Sequence, residues 1–286
     1  MARSYQTGLS MSPHKLFALL IAVCALVLPA HAETTYKIGV VPQFEPRKLS
    51  AIWTPILIEL EKRTGLKFQM VGSARIPEFE TEYEAGRYDF AYMNPYHAVV
   101  ANKTQKYEPI VRDGAEKLFG ILVVAKDGPY RTLKSLDGKT IAFPAPNALG
   151  ASLLMRAELD REVGIKFQPL WSQTHTSAYL NVALGKADAA GGVMATLKQQ
   201  PQAVQDKLRI IHETRPTAPH PLVVHPRVPA ADREKVRKAL LDMGATPEGA
   251  ALLAAVPIKQ IVPASFDDYR ELSQWGLEKY YVKGGD

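Results

Sequence analysis

Short apolar runs alternate with longer amphipathic segments through the first third of the chain. Tyr36–Val41, Lys67–Val71 and Tyr88–Met93 have the length and composition of buried strands, and each is followed by a turn signal. Between them, Leu49–Thr64 and Glu78–Ala85 carry apolar residues at helical spacing and end before a glycine. Strands that alternate with helices predict an α/β arrangement with a mainly parallel sheet.

The same alternation begins again further along and predicts a second block of similar architecture. Its elements are strands Leu118–Ala125 and Lys139–Phe143, helix Ala151–Val163, strand Phe167–Trp171, helix His175–Leu184, strand Ala187–Gly191, helix Val193–Gln200, and strands Arg209–His212 and Leu222–His225. From Asp232 the pattern predicts helix to the end of the sequence, apart from Val262–Phe266.

One architecture used twice predicts two lobes, each a mainly parallel sheet flanked by helices. We expect residues 33–123 together with 226–286 in the first lobe, and residues 124–225 in the second. Small ligands of such folds bind outside the carboxyl ends of the strands, in the cleft between the lobes.

The first 32 residues have the pattern of a secretory signal peptide. A basic segment precedes an apolar run, Leu16–Leu28, and the small-residue sequence Ala30-His31-Ala32 follows it. We expect cleavage after Ala32. The alternatives are an uncleaved anchor or a lipid attached at Cys24, and the valine before that cysteine disfavours the lipid. An exported chain of this kind is expected in the bacterial periplasm.

Composition, charge and the cysteine count exclude several classes of protein and of site once residues 1–32 are set aside. The chain has 286 residues, of which 47% are hydrophobic and 22% charged, which excludes a collagen, a disordered tail and a polytopic membrane protein. The formal charge of +6 falls to +4 without residues 1–32, because they hold two basic residues and no acidic one. Cys24 is the single cysteine, so the mature chain has no disulfide, thiolate metal site or cysteine nucleophile.

The sequence lacks the common motifs of catalysis, metal binding and nucleic-acid binding. It contains no G-x-S-x-G, no P-loop and no H-E-x-x-H, and His212-Glu213 is soon followed by Pro216, which stops a helix. Tyr92, Tyr96 and His97 suggest a ferric site, which we disfavour because strand alternation directs Tyr92 to the core. Basic residues are spread without interleaved aromatics. We expect no enzyme activity, no metal, no cofactor and no nucleic-acid partner.

Six stretches give the chain a resemblance to a known family. They are YKIGVVPQFEP (36–46), LEKRTGLKFQMV (60–71), EAGRYDFAYMNPYHAVVA (84–101), LFGILVVAKDGPYRTLKSLDGKTIAF (118–143), THTSAYLNVALGKADAAGG (174–192) and HPLVVHPRVPA (220–230). In order and spacing they resemble the periplasmic binding proteins of phosphonate, phosphite and phosphate ABC importers, the PhnD-like family, over about residues 36–269. The resemblance implies a type II-like clamshell that captures a solute between two α/β lobes and delivers it to a membrane permease.

Two loops that end strands of the first block supply candidate ligand contacts. Gln43 and Phe44 follow the first strand. Asn94, Tyr96 and His97 follow the third, where an Asn-Pro break begins a helix and presents free backbone N–H groups. Asn94 and Tyr96 can donate hydrogen bonds to an oxyanion. The alternatives are that Asn94 caps the helix and that Tyr96 packs in the core.

The loop before the first helix of the second block departs from the family's pattern. In the family it typically carries Ser-Thr-Ser-Gly, whose hydroxyls and amides hold phosphonate oxygens, whereas this chain has Ala148-Leu149-Gly150-Ala151. Asn147 and Ser152 flank the replaced residues and are candidates to substitute for them. Backbone amides and the positive end of the helix dipole survive the change, so anion binding is still expected.

Histidines complete the candidate site. His175 matches a histidine-bearing loop of the family, and its alternative role is a helix cap or a surface residue. Members that bind aminophosphonates hold the ammonium group with carboxylates, and at those places this chain has Gly192-Val193 and His220. A ligand without an amine is favoured, because a desolvated amine without a partner is unfavourable. Arg47 and Arg215 are either further sources of positive charge or solvated surface residues.

Taken together, these features predict a monomeric periplasmic solute-binding protein with a small anionic ligand and an ABC transporter permease as its partner. Phosphite, phosphate and simple phosphonates are the first candidate ligands, and the sequence leaves open which of them is bound. The rival hypothesis is a periplasmic sensor subunit that presents its ligand state to a membrane histidine kinase.

Overall fold

A computed structural model describes residues 34–283, so the predicted signal peptide lies outside the described residues. The strands are β1 Thr35–Val40, β2 Lys67–Val71, β3 Phe90–Tyr92, β4 Glu108–Asp113, β5 Gly120–Ala125, β6 Thr140–Phe143, β7 Gln168–Trp171, β8 Ala189–Val193, β9 Leu208–Glu213, β10 Leu222–Val224 and β11 Ile261–Pro263. The α-helices are α1 Pro46–Thr64, α2 Ile76–Glu84, α3 Pro95–Gln105, α4 Met155–Glu158, α5 His175–Ala183, α6 Met194–Leu197, α7 Gln202–Gln205, α8 Ala230–Gly244 and α9 Pro247–Ala254. Within this range, no helix is long and apolar enough to cross a membrane.

The first sheet has the strand order β11-β4-β10-β3-β1-β2. β1 pairs parallel with β2 and β3, whereas β10 pairs antiparallel with β3 and β4, and β11 pairs antiparallel with β4. The period-2 alternation of β1 sets its orientation, because Tyr36 and Ile38 are buried in the core while Lys37 is exposed. Helix α1 begins with Pro46 at its first turn and covers the sheet with Trp53, Ile56 and Leu60 among its buried residues.

The second sheet has the strand order β7-β6-β8-β5-β9. β6 pairs parallel with β7 and β8, and β5 pairs antiparallel with β8 and β9. β5 is buried along nearly its whole length, as its continuous apolar sequence predicts. The helix after β6 is continuous over residues 149–163, because π-helical turns Leu149–Leu154 and Leu159–Val163 flank α4.

The predicted two-lobed α/β fold is confirmed, and four of the six strands in the first sheet and four of the five in the second run in one direction. Both sheets are mixed, since each contains strands that carry the chain from one sheet to the other or back. β5 runs into the second sheet against β8, and β10 runs back into the first against β3. β5 and β10 therefore run antiparallel to the strands of the β-α-β units beside them.

Sheet membership shows where the chain passes from one sheet to the other, close to the predicted lobe boundaries. The boundary at residue 123 falls inside β5, all of which pairs in the second sheet. The boundary at residue 225 falls after β10, which pairs in the first sheet. The chain therefore crosses between the sheets over residues 114–119, between β4 and β5, and over residues 214–221, between β9 and β10.

The end of the chain is less helical than its pattern predicts. After α8 and α9 come β11 and three 3₁₀ turns, Phe266–Asp268, Arg270–Gln274 and Leu277–Lys279. This segment contacts elements of both sheets, since the Tyr281 hydroxyl donates to Glu84 of α2 and the Val282 amide donates to the side chain of Asn147 after β6. Its contacts with both lobes tie them together.

Candidate functional site

A small cavity lies between the two sheets, where the loops after several strands come together. Its volume is about 20 Å³, enough for about one or two water-sized groups. Seven of the residues that we predicted from the sequence line it: Gln43, Asn94, Ala148, Leu149, Gly150, His175 and His220. Gln43 follows β1, Asn94 follows β3 and His175 begins α5 after β7, so the cavity has walls from both sheets. The lining residues contain no Asp, Glu, Lys or Arg among the residues that the structure describes.

His175 is buried at the start of α5, where Thr174 caps the helix by accepting a hydrogen bond from the Ser177 amide. Its Nδ1 lies 3.2 Å from Oγ1 of Thr196. The Thr196 hydroxyl also contacts the Tyr179 hydroxyl at 2.9 Å, so one hydroxyl pair orients the ring. Burial lowers the pKa of His175 to about 4, which keeps the imidazole neutral near pH 7.

His220 is buried on the other wall, just before β10. The side-chain amide nitrogen of Gln43 lies 2.9 Å from His220 Nε2, so the amide donates and Nε2 accepts. The ring stacks on Tyr92, with centroids 5.5 Å apart and planes 24° apart. Burial first, and then the nearby His97 and His175, lowers the pKa of His220 to about 3.

Asn94 lines the cavity, but its side chain is already engaged. Oδ1 accepts from the His97 amide at 2.9 Å and so caps α3, and Nδ2 donates to the Asn147 carbonyl at 3.1 Å. The capping alternative considered for this residue is therefore observed.

His97 and Asn147 lie behind the cavity wall, where they form a buried polar network with Glu80. His97 Nε2 is 2.8 Å from Oε1 of Glu80, and Asn147 Nδ2 donates to Oε2 at 2.9 Å. Asn147 also pairs with the backbone of Val282 through both its side-chain atoms. In the part of the chain that the structure describes, His97 Nδ1 has no hydrogen-bond partner. This network joins the lobes and supports Asn94.

Backbone forms the wall at residues 148–151. The amides of Leu149, Gly150 and Ala151 precede the first helical hydrogen bonds, because the earliest donors to the Ala148 carbonyl are Ser152 and Leu153. Gly150 and Gly120 are in backbone contact, and a Cβ on Gly120 would lie 1.9 Å from the Gly150 carbonyl oxygen. Glycine at 120 is therefore required for β5 to pass this close to the helix start.

Three other predicted residues lie outside the cavity. The hydroxyl of Ser152 accepts from Arg156 Nε at 3.2 Å, and Tyr96 packs in an apolar cluster with Leu149 and Leu153. Tyr96 therefore packs in the core, which was the alternative considered for this residue. Phe44 lines a larger adjoining chamber rather than the cavity itself.

The adjoining chamber has a volume of about 420 Å³ and shares Gln43, Leu118, Val193 and His220 with the cavity. Its charged lining residues are Asp113, Glu116, Lys117, Lys198 and Glu213. The carboxyl group of Asp113 already accepts from three backbone amides, and Glu116 pairs with Lys259. Arg215 lies elsewhere, paired with Glu162 at 2.6 Å and stacked on Trp275.

The sequence of the chain matches a known family of transport proteins. The family model for the periplasmic substrate-binding protein of ABC phosphonate transporters matches residues 38–269. The chain belongs to this family. It is 24% identical over 257 residues to the phosphonates-binding periplasmic protein of Escherichia coli K12, covering 83% of this chain and 75% of that protein. It is 26% identical over 173 residues to the phosphate-import protein PhnD of Mycolicibacterium smegmatis, covering 54% of each.

Solved structures of the phosphonate-binding family show the same fold. PhnD1 from Prochlorococcus marinus, in complex with methylphosphonate, has a TM-score of 0.79 at 14% identity, covering 87% of this chain and 99% of that one. The binding protein component of an ABC phosphonate transporter from Pseudomonas aeruginosa has a TM-score of 0.77 at 18% identity, covering 86% and 87%. The chain is thus a substrate-binding component of an ABC importer, and the sensor hypothesis is not favoured.

Five further residues line the cavity that were not among the predicted ligand contacts. Val41, Ile76, Leu118, Ala151 and Val193 complete its lining. Val41 lies two residues before Gln43 and Ala151 directly follows Gly150. Their closeness in the sequence to predicted site residues could have indicated that both line the cavity. Ile76 and Leu118 carry no such signal, because an apolar residue at a helix start or in a crossing looks like any core residue.

Proposed function

We propose that this phosphonate-family protein captures a small oxyanion without an ammonium group in the cavity between its lobes and delivers it to an ABC permease. The observation that carries the proposal is a lining of neutral hydrogen-bonding groups, Gln43, His175 and His220, together with the free amides of residues 149–151 and a few apolar side chains. Such amides and N–H groups are anion-binding groups, and a dry site strengthens each interaction.

The chemistry of the lining supports an anion over an aminophosphonate. An ammonium group needs a carboxylate or several acceptors when it leaves water, and the described lining residues supply no carboxylate. Gly192 stands at one of the positions where members that bind aminophosphonates are expected to carry a carboxylate. A Cβ at Gly192 would lie 1.9 Å from the Tyr179 hydroxyl. Packing therefore excludes a larger side chain at this position.

The size of the site supports a small anionic head. The cavity of about 20 Å³ is filled by few atoms, whereas the adjoining chamber of about 420 Å³ has room for an organic substituent. Phosphite, phosphate and methylphosphonate are therefore the first ligands to test, and longer phosphonates would extend toward Phe44.

The roles of the candidate residues follow from their positions. Gln43, His175 and His220 contact the ligand, together with the amides of Leu149, Gly150 and Ala151. Asn94, His97 and Asn147 act indirectly, through the network with Glu80 that holds the wall. Tyr96 and Ser152 pack behind the site, and Phe44 lies at its mouth.

The wider proposal follows the family. The protein is exported by a signal peptide over residues 1–32, works in the periplasm as a monomer, and has neither catalytic activity nor a nucleic-acid partner. The lobes are divided at the crossings 114–119 and 214–221, and ligand-dependent closure about these crossings is what the permease reads.

A thermal-shift panel on residues 33–286 tests the proposal. It contains phosphite, phosphate, methylphosphonate, 2-aminoethylphosphonate, sulfate and acetate. A ligand at 100 times its dissociation constant stabilises the protein by about 2.7 kcal/mol, and we expect at least one phosphorus oxyanion without an amine to do so. Stabilisation by 2-aminoethylphosphonate alone, or by none of the panel, would contradict the proposal.

A further inference from the structure

The inner cavity contains polar groups from both lobes but no permanent positive charge. Among the described residues that line it, the titratable side chains are His175 and His220. An oxyanion that enters loses its hydration, and in a medium of low dielectric constant neutral donors alone compensate only part of that loss. The helix-start amides supply partial positive charge, and a proton on a lining imidazole is the full positive charge that this lining can add.

We infer that His175 and His220 provide this charge, so that capture of the oxyanion carries a proton into the cavity and the imidazole pair holds it. The inference rests on the proposed function and concerns the origin of the positive charge at that site. It makes the two histidines determinants of specificity, because only a ligand of negative charge stabilises the protonated pair.

The contacts of His220 accommodate both protonation states. In the unprotonated ring Nε2 accepts from the Gln43 amide nitrogen at 2.9 Å. When Nε2 gains a proton it becomes a donor, and rotation of the Gln43 amide by half a turn presents the oxygen in place of the nitrogen. The Tyr92 ring, stacked at 5.5 Å, holds the imidazole in place during the exchange.

The contacts of His175 are equally tolerant of a proton. Nδ1 faces the Thr196 hydroxyl at 3.2 Å, and a hydroxyl can donate to an unprotonated nitrogen or accept from a protonated one. The Thr196 proton has a second acceptor in the Val193 carbonyl at 2.9 Å, so its rotation leaves no polar group unpaired. Nε2 is then free to be protonated and to donate toward the ligand.

The other charged groups near the two rings do not replace this charge. His97, the third imidazole that acts on His220, is paired with Glu80 behind the wall. In the chamber that adjoins His220, Asp113 and Glu116 are engaged with the segment at Lys259, and Lys117, Lys198 and Glu213 are exposed.

The Tyr92 hydroxyl stays protonated, since burial raises its pKa well above the ordinary value. Opposite His175 stand the hydroxyls of Thr196 and Tyr179, and Tyr179 also has a raised pKa because it is buried.

The burial of the two imidazoles determines how ligand affinity changes with pH. The pKa of His175 is held at about 4 and that of His220 at about 3 without ligand, so both rings are neutral between pH 6 and 8. An anion in the cavity raises these pKa values, and affinity is then highest at low pH and falls as pH rises toward the pKa of the complex.

Isothermal titration calorimetry of residues 33–286 with phosphite and with methylphosphonate, in buffers of different ionisation enthalpy, measures the protons taken up. We expect about one proton per ligand near pH 8, and an affinity that falls up to about tenfold per pH unit as the pH is raised. The ring ¹⁵N chemical shifts of His175 and His220 distinguish a proton on the imidazoles from one on the ligand.

The variants His175→Gln and His220→Gln retain hydrogen-bonding groups but cannot be protonated, and His225→Gln, which faces Tyr107 away from the cavity, is the control. We expect lower proton uptake in the first two and the wild-type value in the control. Tight binding without proton uptake, or uptake that is unchanged in both variants, overturns this inference and leaves the proposed function standing. If phosphite, methylphosphonate and phosphate all fail to bind at any pH, both the inference and the proposed function fail.

Discussion

The side-chain amide of Asn147 donates to the buried carboxyl group of Glu80 at 2.9 Å, and so links the second lobe to helix α2 of the first. The same amide donates to the Val282 carbonyl at 2.8 Å, and the Asn147 oxygen accepts from the Val282 amide. A single asparagine therefore joins three segments that are distant in the chain.

Replacing this asparagine is expected to destabilise the protein. Asn147→Ala leaves Glu80 and the backbone at Val282 short of partners inside the protein, and we expect a loss of about 2–4 kcal/mol in the free energy of unfolding. Urea denaturation measures it. Asn102→Ala, which removes one hydrogen bond to the Tyr107 carbonyl, is the matched control at about 1 kcal/mol. Equal losses in the two variants would show that the link between lobes adds nothing.

Adding a methyl group at Gly192 is expected to disrupt the packing beside the cavity. A Cβ there would lie 1.9 Å from the Tyr179 hydroxyl, so Gly192→Ala must displace a buried ring, at about 1–3 kcal/mol. The control is Gly72→Ala, because no atom lies within 4 Å of a Cβ at Gly72, and we expect a change within about 0.5 kcal/mol. Thermal unfolding of both variants distinguishes them, and a stable Gly192→Ala protein would reopen the position to larger side chains.

The unliganded protein is expected to lose stability in mild acid. Burial holds the pKa of His175 at about 4 and that of His220 at about 3, below the ordinary 6.5, so both contribute stability that is complete above about pH 6.5. That stability declines as pH falls through the range down to these values, by about 1.4 kcal/mol per pH unit for each ring. Denaturation at pH 7 and pH 5 measures the decline, and His220→Gln should reduce it. An identical decline in that variant would assign the effect to other groups.

Removing the hydroxyl of Thr196 tests its role as a positioning residue. Thr196→Val keeps the shape but leaves His175 Nδ1 without its partner, and we expect phosphite affinity to fall about tenfold, corresponding to about 1.4 kcal/mol, with an altered pH profile. Thr104→Val, on the exposed face of α3, is the control and should bind normally. A loss of stability with an unchanged pH profile would indicate a purely structural role for Thr196.

The sequence predicted the elements whose pattern is local. The alternation of β1 and the long apolar run of β5 were visible in composition alone, whereas β4 was missed because Pro109 and three charged residues interrupt its pattern. The sequence also did not show which strands run antiparallel, since strand direction depends on pairing between distant segments. The site was predicted in its loops and the cap at Asn94 was among the alternatives, but the engagement of Asn147 was not predicted, because a polar side chain after a strand serves a ligand or a neighbour equally well. Only their partners, Glu80 and Val282 among them, distinguish the two uses.

The contact between Gly120 and Gly150 limits how this protein can acquire new ligands. One wall of the cavity is peptide backbone pressed against backbone, and substitutions at either glycine collide with the opposite strand or helix. Adaptation to another solute, in nature or in a laboratory selection, must therefore proceed through the lining side chains, such as Gln43, His175 and His220. The backbone wall then keeps limiting the size of the ligand, while substitutions of these side chains change which chemical groups the cavity binds.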